Sequence, residues 1–342
     1  MLKHCGLISL SSGALGEDFV KHELHLGFQR LSEFGMQTTI MPNSLKGIKH
    51  LSNNPQERAQ DLIDAFKNDN IDLILCAIGG NDTYKLIPYL FENDRLKKVT
   101  KNKVFLGYSD TTVNHFMLYK LGLKTFYGQA FLTDICELSN EMLPYSYKYF
   151  NELITTGNIK EIKPSKYWYK ERNDFSPNAL GTQREIYSNE GFILLQGNPI
   201  FQGEILGGCI ESIYKNFLNP DSEAYAITNK YQIFPSLEQW KDKILLLETS
   251  ESKSSPELFA TMLHALSQYG IFDVISGVLV GKPQDNIYFN EYQDILKEKL
   301  PSNVPIVYNI NVGHAYPHCI IPLGKNALVN AINQTIKFDL DK

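Results

Sequence analysis

Three short motifs place a serine, a glutamate and a histidine directly after apolar runs of strand length. The run Lys-Val-Phe-Leu-Gly-Tyr-Ser ends at Ser109, the run Lys-Ile-Leu-Leu-Leu-Glu ends at Glu248, and a Gly-His pair after a third run ends at His314. Hydrolysis of an amide through an acyl-enzyme needs a nucleophile, a base and a carboxylate that orients the base. Ser109, Glu248 and His314 are therefore a candidate triad, in the chain order serine, acid, histidine.

The serine motif has the pattern of a nucleophile elbow, in which a strand turns sharply into a helix with the serine on the turn. A Gly-x-Ser sequence ends at Ser109, and apolar residues at helical spacing follow it. The first amides of such a helix have no partner within the helix and can stabilise an oxyanion. Thr111 stands where the Gly-x-Ser-x-Gly pattern has its second glycine. The alternative is that Ser109 or Asp110 only caps the helix.

A pair of glycines, Gly79 and Gly80, follows another apolar run of strand length. Glycines let a backbone approach a ligand closely, and a free amide there could supply a second oxyanion donor. The alternative is a plain turn between a strand and a helix. The pair is too short for a dinucleotide fingerprint, and no Gly-Lys-Ser/Thr of a phosphate-binding loop follows it.

The glutamate and the histidine each leave a choice open. A carboxylate at the end of a fully apolar strand is costly to bury unless it is paired, so Glu248 either orients a histidine or reaches solvent. His314 lies beside a glycine in a loop and is a better candidate base than His318. The other histidines do not provide further ligands at sensible spacing, so neither a metal nor an organic cofactor is expected.

Strand-like and helix-like segments alternate over the first 130 or so residues. Alternation of this kind predicts a mostly parallel sheet covered by helices on both faces, with ligands bound beyond the carboxyl ends of the strands. Strands are predicted there at residues 6–10, 37–41, 71–78, 103–107 and 124–127, and helices at residues 17–34 and 54–68. The pattern lapses at residues 160–190, which predicts a long loop or interdomain connection. Beyond it, strands are predicted at residues 191–196, 243–248, 274–280, 304–308 and 327–332, and helices at residues 207–217, 256–268 and 291–300.

Length and composition indicate a globular protein of two domains. The chain has 342 residues, more than the roughly 100–200 of a usual single domain. Its net charge of −5 disfavours nucleic acid polymers and anionic membranes as main partners. No apolar run approaches the roughly 20 residues that span a bilayer. The five cysteines are scattered without paired spacing, which favours a reducing compartment and a cytoplasmic location.

Five ordered motifs make the chain similar to the LD-carboxypeptidase family of serine peptidases. They are Gly-Tyr-Ser-Asp at 107–110, Gly-Gly at 79–80, Leu-Gly-Gly at 206–208, Leu-Leu-Glu at 246–248 and Gly-His at 313–314. The resemblance covers essentially the whole chain. It implies that Ser109, Glu248 and His314 form the triad, and that the amides of Asp110 and Gly80 hold the oxyanion. It also implies a homodimer.

The same resemblance implies an α/β fold in three segments. Residues 1–160 form an N-terminal domain with a parallel sheet like that of class I glutamine amidotransferases, and they carry the nucleophile. Residues 161–190 form a linker and substrate loop. Residues 191–342 form a smaller β-rich domain of the swivelling β/β/α type, which carries the glutamate and the histidine. The active site lies between the two domains.

Two branches of the family differ in substrate. Muramoyl-tetrapeptide carboxypeptidases remove the terminal D-Ala from murein tetrapeptide. Microcin C immunity proteins cleave the amide that joins an aminoacyl group to a modified nucleotide. Residues 78–82 and 248–251 look more like the immunity branch. The expected partner is therefore a small-molecule substrate, an aminoacyl nucleotide. The alternatives are a murein peptide, cleaved by a muramoyl-tetrapeptide carboxypeptidase, and a catalytically silent binding protein of the same fold.

The resemblance to the immunity branch also implies residues that contact the substrate. Residues 163–175 match the place of an aromatic loop that stacks on the nucleobase, which implies Trp168 as the stacking side chain. Base stacking on an aromatic ring contributes about 1–3 kcal/mol per base. Gly79 and Asn81 are expected to contact the substrate as well. The alternative for Trp168 is that it packs the domain junction.

Overall fold

The structure is a computed structural model that describes residues 1–338. Its strands are β1 (His4–Ile8), β2 (Gln37–Ile40), β3 (Leu73–Cys76), β4 (Val104–Gly107), β5 (Thr125–Tyr127), β6 (Glu161–Ile162), β7 (Tyr167–Tyr169), β8 (Ile186–Ser188), β9 (Ile193–Gln196), β10 (Ile200–Cys209), β11 (Ile244–Glu248), β12 (Gly277–Gly281), β13 (Ile306–Ile310), β14 (Ile321–Leu323), β15 (Asn326–Asn330) and β16 (Thr335–Phe338). Its α-helices are α1 (Lys21–Glu33), α2 (Ile48–Asn53), α3 (Pro55–Lys67), α4 (Ile87–Phe91), α5 (Thr112–Lys120), α6 (Pro144–Thr156), α7 (Ile210–Ile213), α8 (Glu223–Lys230), α9 (Leu237–Trp240), α10 (Pro256–Tyr269) and α11 (Phe289–Lys299). None of these helices is both long and apolar enough to cross a membrane.

Two main sheets organise the chain. The first has the strand order β14-β5-β4-β3-β1-β2, with β1 to β5 parallel. The second has the order β6-β16-β15-β10-β11-β12-β13-β9, and its β10 to β13 are parallel. An α/β fold with a parallel sheet, followed by a β-rich second sheet, is thereby confirmed.

Local sequence explains the elements of the first sheet. The four residues of β3, Leu-Ile-Leu-Cys, are all buried, as expected for a strand covered by helices on both faces. Helix α3 begins with Pro55, which suits a first helical turn because its missing N–H has no partner there anyway. The same helix buries Leu62, Ile63 and Phe66 on one face, at the spacing of an amphipathic helix. These packed layers fix the strand ends at one edge of the sheet.

Two local predictions are wrong. Residues 207–209, predicted as the start of a helix, are the end of strand β10, and helix α7 begins only at Ile210. Gly207 and Gly208 have φ values of +141° and +148°, and a side chain at Gly207 would meet the backbone of Leu246. The second error is the loop predicted at residues 160–190, which contains β6 and the β7–β8 hairpin. Strands of two or three residues leave too little periodicity to recognise.

The division into residues 1–160, 161–190 and 191–342 stays a prediction, and two short strands cross it. Strand β6 lies in the predicted linker and pairs with β16 of the second sheet. Strand β14 follows the second parallel group in the chain and pairs antiparallel with β5 at the edge of the first sheet. The segment between β13 and β14, which holds His314, is therefore attached to both sheets.

Candidate active site

Ser109 lies on a tight turn at the carboxyl end of β4. Its φ of +66° is left-handed, a conformation that costs a non-glycine residue about 1–3 kcal/mol and is common at functional sites. The turn continues through Ser109–Thr111 directly into α5, which is the strand-turn-helix geometry of a nucleophile elbow. Gly79 packs against it so closely that a Cβ there would lie 2.6 Å from the Cβ of Ser109. The elbow therefore depends on a glycine in the neighbouring loop.

Hydrogen bonds join the three candidate catalytic side chains in one path. His314 Nε2 lies 3.2 Å from Ser109 Oγ, and His314 Nδ1 lies 2.8 Å from Glu248 Oε2. Glu248 ends β11 and is 1% exposed, and His314 is buried beside it. Gly313 has a φ of +95°, and a Cβ there would come within 2.4 Å of the Glu248 carboxylate. The path needs a glycine on each side, at 79 and at 313.

Electrostatics favour a charged imidazole at His314. Burial by itself lowers the pKa of His314, but the charge and hydrogen bond of Glu248, together with a contact from Glu251, raise it well above its ordinary value. Glu251 Oε2 lies 3.0 Å from His314 Nε2. The hydrogen bond to His314 in turn lowers the pKa of Glu251 to about 2.

Tyr127, which was not singled out in the sequence, connects the serine turn to the glutamate. Its hydroxyl accepts the N–H of Ser109 at 3.0 Å and donates to Glu248 Oε1 at 2.6 Å. Both carboxylate oxygens of Glu248 are therefore engaged, one by the histidine and one by the tyrosine. Tyr127 ends β5, which is the next strand to β4, and that position at the same sheet edge is the signal that could have revealed it.

Two loops hold backbone amides beside the serine. Asp110 is the second residue of the turn, and its buried carboxylate accepts Ser11 Oγ at 2.7 Å and the Thr83 N–H at 2.9 Å. Gly80 has a φ of +152°, and a Cβ there would lie 2.3 Å from Ser11 Oγ. The loops after β1, β3 and β4 thus meet at Ser11. This brings the backbones of Asp110 and Gly80 to one side of the elbow.

A buried ion pair holds the glycine loop, the loop after β3 that contains Gly79 and Gly80. Both terminal nitrogens of Arg58 bond to the carboxylate of Asp82, at 2.6 and 3.1 Å, and Arg58 also donates to the carbonyls of Leu10 and Ser11. The Arg58 side chain is fully buried. Bidentate guanidinium-carboxylate pairs are geometrically specific, so this pair holds the loop in one position.

A cavity of about 520 Å³ opens in front of the elbow. Gly79, Gly80, Ser109 and His314 line it, as do residues that the sequence did not single out. These further lining residues include Phe19, Glu137, Glu171, Arg172, Phe175, Arg184 and Glu251. Its size suits a small molecule. Within residues 1–338, no group of three or more His, Cys, Asp or Glu is arranged to hold a metal ion.

Neither Trp168 nor Asn81 lines this cavity. The ring of Trp168 is 9% exposed, stacks on Tyr187 at 4.5 Å and has the ammonium of Lys282 5.1 Å from its centroid. Trp168 thus packs against the β7–β8 hairpin in this structure, and the stacking role expected for it stays a prediction. Asn81 is exposed beside the glycine loop, where its carbonyl accepts Lys215 Nζ.

Four charged residues form one side of the cavity, here called the charged wall: Glu137, Glu171, Arg172 and Arg184. Glu137 is buried and pairs with both arginines, with Arg184 Nε at 2.7 Å. Arg184 also bonds to Glu171 at 2.7 Å and stacks 3.8 Å above the ring of Tyr316. Burial by itself raises the pKa of Glu137, but the two arginines outweigh it and lower that pKa. The wall attaches the segment around residues 170–184 to Glu137, in the connection between β5 and α6.

A left-handed serine, a buried histidine and a buried glutamate in one hydrogen-bonded path define the class of serine hydrolases. The chain belongs to the LD-carboxypeptidase family. The model of the LD-carboxypeptidase N-terminal domain matches residues 5–128, and that of the C-terminal domain matches residues 202–329. Relatives bear the name carboxypeptidase, and the family is one of serine peptidases. The resemblance in the motifs is thereby confirmed.

Three relatives illustrate the range of the similarity. A putative carboxypeptidase, YocD of Bacillus subtilis (strain 168), is 27% identical over 316 residues, 91% of this chain and 89% of the relative. The crystal structure of an MccF-like protein from Streptococcus pneumoniae in complex with AMP is 57% identical, with a TM-score of 0.98 and full coverage of both chains. The microcin C7 self-immunity protein MccF of Escherichia coli is 24% identical over 337 residues, 95% of this chain and 90% of the relative. A structure of MccF with aspartyl sulfamoyl adenosine has a TM-score of 0.79 at 21% identity over 99% and 96% of the two chains, which shows the fold.

Proposed function

We propose that this protein hydrolyses the amide between an aminoacyl group and a nucleotide, with Ser109 as nucleophile, His314 as base and Glu248 as the carboxylate that orients it. The observation that carries the proposal is the hydrogen-bonded path from Ser109 through His314 to Glu248, which begins on a left-handed turn at a strand end. A plain helix cap would need neither the histidine nor the buried glutamate.

The proposed reaction starts when His314 Nε2 accepts the hydroxyl proton of Ser109 and the serine oxygen attacks the scissile carbonyl. The amides of Asp110 and Gly80 hold the oxyanion, and each such donor is worth roughly 10²–10³ in kcat. His314 then protonates the leaving nitrogen, and a water molecule resolves the acyl-enzyme with the same base. Glu248 stabilises the imidazolium throughout, and Tyr127 holds its second oxygen.

Two observations support a nucleotide as the leaving part. The Streptococcus pneumoniae protein, which is 57% identical, was crystallised with AMP. Two phenylalanines on the cavity, Phe19 and Phe175, expose 61% and 47% of their surface. Exposed aromatic faces in a cavity suit a nucleobase. We assign the stacking role to these rings in place of Trp168.

The test compares turnover of two sulfamoyl adenosines, aspartyl and alanyl, with turnover of a murein tetrapeptide. Wild-type protein is expected to release the sulfamoyl adenosine and leave the tetrapeptide intact. Release of D-Ala from the tetrapeptide alone would establish the murein alternative instead. The Ser109→Ala variant is the control, because it should still bind AMP but lose turnover by about 10⁴-fold or more.

The catalytically silent alternative is tested by a separate measurement. A serine-directed acylating reagent should label wild-type protein at Ser109 and leave the Ser109→Ala variant unlabelled, as read by peptide mass spectrometry. Absence of labelling and of turnover on all three substrates would support a binding protein. The homodimer stays a prediction, which sedimentation velocity tests.

A further inference from the structure

One nitrogen of the proposed base has two partners. His314 Nε2 lies 3.2 Å from Ser109 Oγ and 3.0 Å from a carboxylate oxygen of Glu251. Glu251 follows strand β11 by three residues and lines the cavity, and 69% of its side chain is exposed. It is therefore the acidic group next to the reacting atoms on the open side of the site, opposite the buried Glu248.

The contact with Glu251 and the proposed reaction require different protonation states of the histidine. A hydrogen bond to the Glu251 carboxylate needs a proton on Nε2, because a carboxylate only accepts. Accepting the Ser109 proton needs a lone pair on the same nitrogen. While Nδ1 donates to Glu248, a proton on Nε2 makes the ring an imidazolium that cannot act as a base. The hydrogen bond between Glu251 and His314 must therefore break before the proposed reaction starts.

The backbone around Glu251 is held in place independently of this contact. Glu211, which lies beneath the loop, accepts the Ser250 N–H at 3.0 Å and Ser254 Oγ at 2.7 Å. Lys253 pairs with Asp285 at 2.8 Å. The loop is thus anchored on both sides of Glu251, whose own carboxylate points into the cavity. A side chain held in this way can exchange one cationic partner for another without movement of the loop.

We propose that Glu251 selects the acyl group by binding the free α-ammonium of the aminoacyl substrate, which releases His314 to accept the proton of Ser109. The inference rests on the function proposed above. In an aminoacyl amide the α-nitrogen lies about 2.5 Å from the scissile carbonyl carbon, since only one Cα separates them. Once that carbon is seated at Ser109 Oγ, the ammonium reaches the region where Glu251 now contacts His314. A charge-assisted pair at that position suits an ammonium and no neutral amide.

The proposal predicts that the rate of hydrolysis depends on one substrate group, the free α-amino group. A substrate with a free α-amino group engages Glu251 and frees the base. A substrate whose α-nitrogen is acylated carries no charge there, so Glu251 stays on His314 and the base stays blocked. In the absence of the Glu251 carboxylate, the free-amine substrate loses its partner, whereas the acylated substrate no longer meets a blocked base. The two substrates should therefore respond in opposite directions.

The experiment measures kcat/KM for alanyl sulfamoyl adenosine, for its N-acetyl form, and for the corresponding aspartyl pair. Wild-type protein should prefer the free amine by about 10- to 100-fold, which corresponds to one hydrogen bond between charged groups. In the Glu251→Gln variant that preference should fall below about threefold, with a loss on the free amine and a gain on the N-acetyl form. The Ser252→Ala variant, one residue along the same exposed loop, is the matched control and should keep the wild-type preference.

Three outcomes would overturn the inference in distinguishable ways. If wild-type protein hydrolyses free and N-acetyl substrates equally, the function stands and selection by Glu251 is wrong. If the preference is present but unchanged in Glu251→Gln, another group binds the ammonium. If wild-type protein hydrolyses none of the four compounds, the proposed function fails and the inference fails with it. Binding to the Ser109→Ala variant adds a turnover-independent readout, since its affinity should show the same preference and lose it when Glu251→Gln is added.

Discussion

The reaction centre and the charged wall face the same cavity but are built in opposite ways. At the centre, Ser109, Tyr127 and Glu248 sit at or just after the ends of three strands, and glycines at 79 and 313 allow the close contacts. Its geometry comes from backbone positions. The wall consists of long side chains whose positions come from one another, with Glu137 buried between two arginines.

The two regions therefore contribute differently: the centre fixes the positions of the reacting atoms, and the wall holds a chain segment in place. A backbone-defined centre tolerates almost no change in shape, since a Cβ at Gly313 would already meet the Glu248 carboxylate. A wall of ion pairs has no such steric requirement, but it leaves charges unpaired when one member is lost. Mutations at the centre should therefore change rate with little change in stability. Mutations in the wall should do the reverse.

The largest effect is expected for Glu248→Gln, at the centre. The amide cannot stabilise the imidazolium, and it can hold the wrong tautomer of His314, so kcat should fall by about 10³–10⁴-fold. The measurement is kcat on the preferred sulfamoyl adenosine, together with the melting temperature. A variant that retains activity within tenfold would show that Glu248 is not the orienting carboxylate.

Substitutions in the charged wall should lower the stability of the protein. In Glu137→Gln, two buried arginines lose their shared partner, and the free energy of unfolding at pH 7 should fall by about 3–5 kcal/mol, measured by urea denaturation. The matched control is Glu185→Gln, which breaks the exposed pair with Lys170 and should leave the free energy of unfolding nearly unchanged. Because the arginines lower the pKa of Glu137 in the folded state, its contribution is present at neutral pH and is lost as the pH falls through that lowered pKa. Equal losses in the two variants would contradict the role given to the wall.

A smaller effect should separate the two aromatic candidates for base stacking. Phe175→Ala should weaken AMP binding by about tenfold, since the ring is exposed on the cavity. Trp168→Phe keeps an aromatic ring against Tyr187 and should change AMP affinity less than about twofold. Isothermal titration of both variants decides between them. A larger loss for Trp168→Phe would return the stacking role to the tryptophan.

The smallest effect is a shift in the pH profile of the centre. The carboxylates of Glu248 and Glu251 raise the pKa of His314, and Tyr108, Ser109 and Tyr127 around this cluster are neutral at these pH values. Since the neutral imidazole is the base, kcat/KM should fall as the pH drops through that pKa. Glu251→Gln removes one negative charge, which lowers the pKa of His314 and moves the acid limb to lower pH. An unchanged limb, or one moved to higher pH, would contradict the contact between Glu251 and His314.

Sequence reasoning succeeded where the structure is local and failed where it is long-range. Ser109 and Glu248 stand at the ends of recognisable apolar runs and His314 stands in a Gly-His loop, and the resemblance in five ordered motifs assigned the three to one proposed triad. Tyr127 was missed because a tyrosine at a strand end resembles any other core residue. The wall was missed because Glu137 and Arg184 are 47 positions apart and belong to no motif.

One error has a physical cause of a different kind. The Leu-Gly-Gly segment resembled a helix start, but glycines with φ beyond +140° continue a strand and let β10 approach β11. The place of Trp168 in a resembling loop does not tell which face of the two-stranded hairpin meets the cavity, so its stacking role stays a prediction. There, pairing with Tyr187 covers the indole.

The pairing of β14 with β5 has a consequence for how the chain tolerates change. Ile321 is the cross-strand neighbour of Tyr127, the residue whose hydroxyl joins Ser109 to Glu248. The length of the stretch from His314 to Ile321 is therefore fixed: it begins at the histidine and ends at a residue paired with the sheet that carries Ser109. Substitutions within this stretch keep its length, whereas a single inserted or deleted residue would shift the pairing register of β14 with β5 or displace His314. Because residues 314–321 are also all buried, packing limits substitutions here, and a change in length would in addition separate the histidine from the sheet that carries the serine.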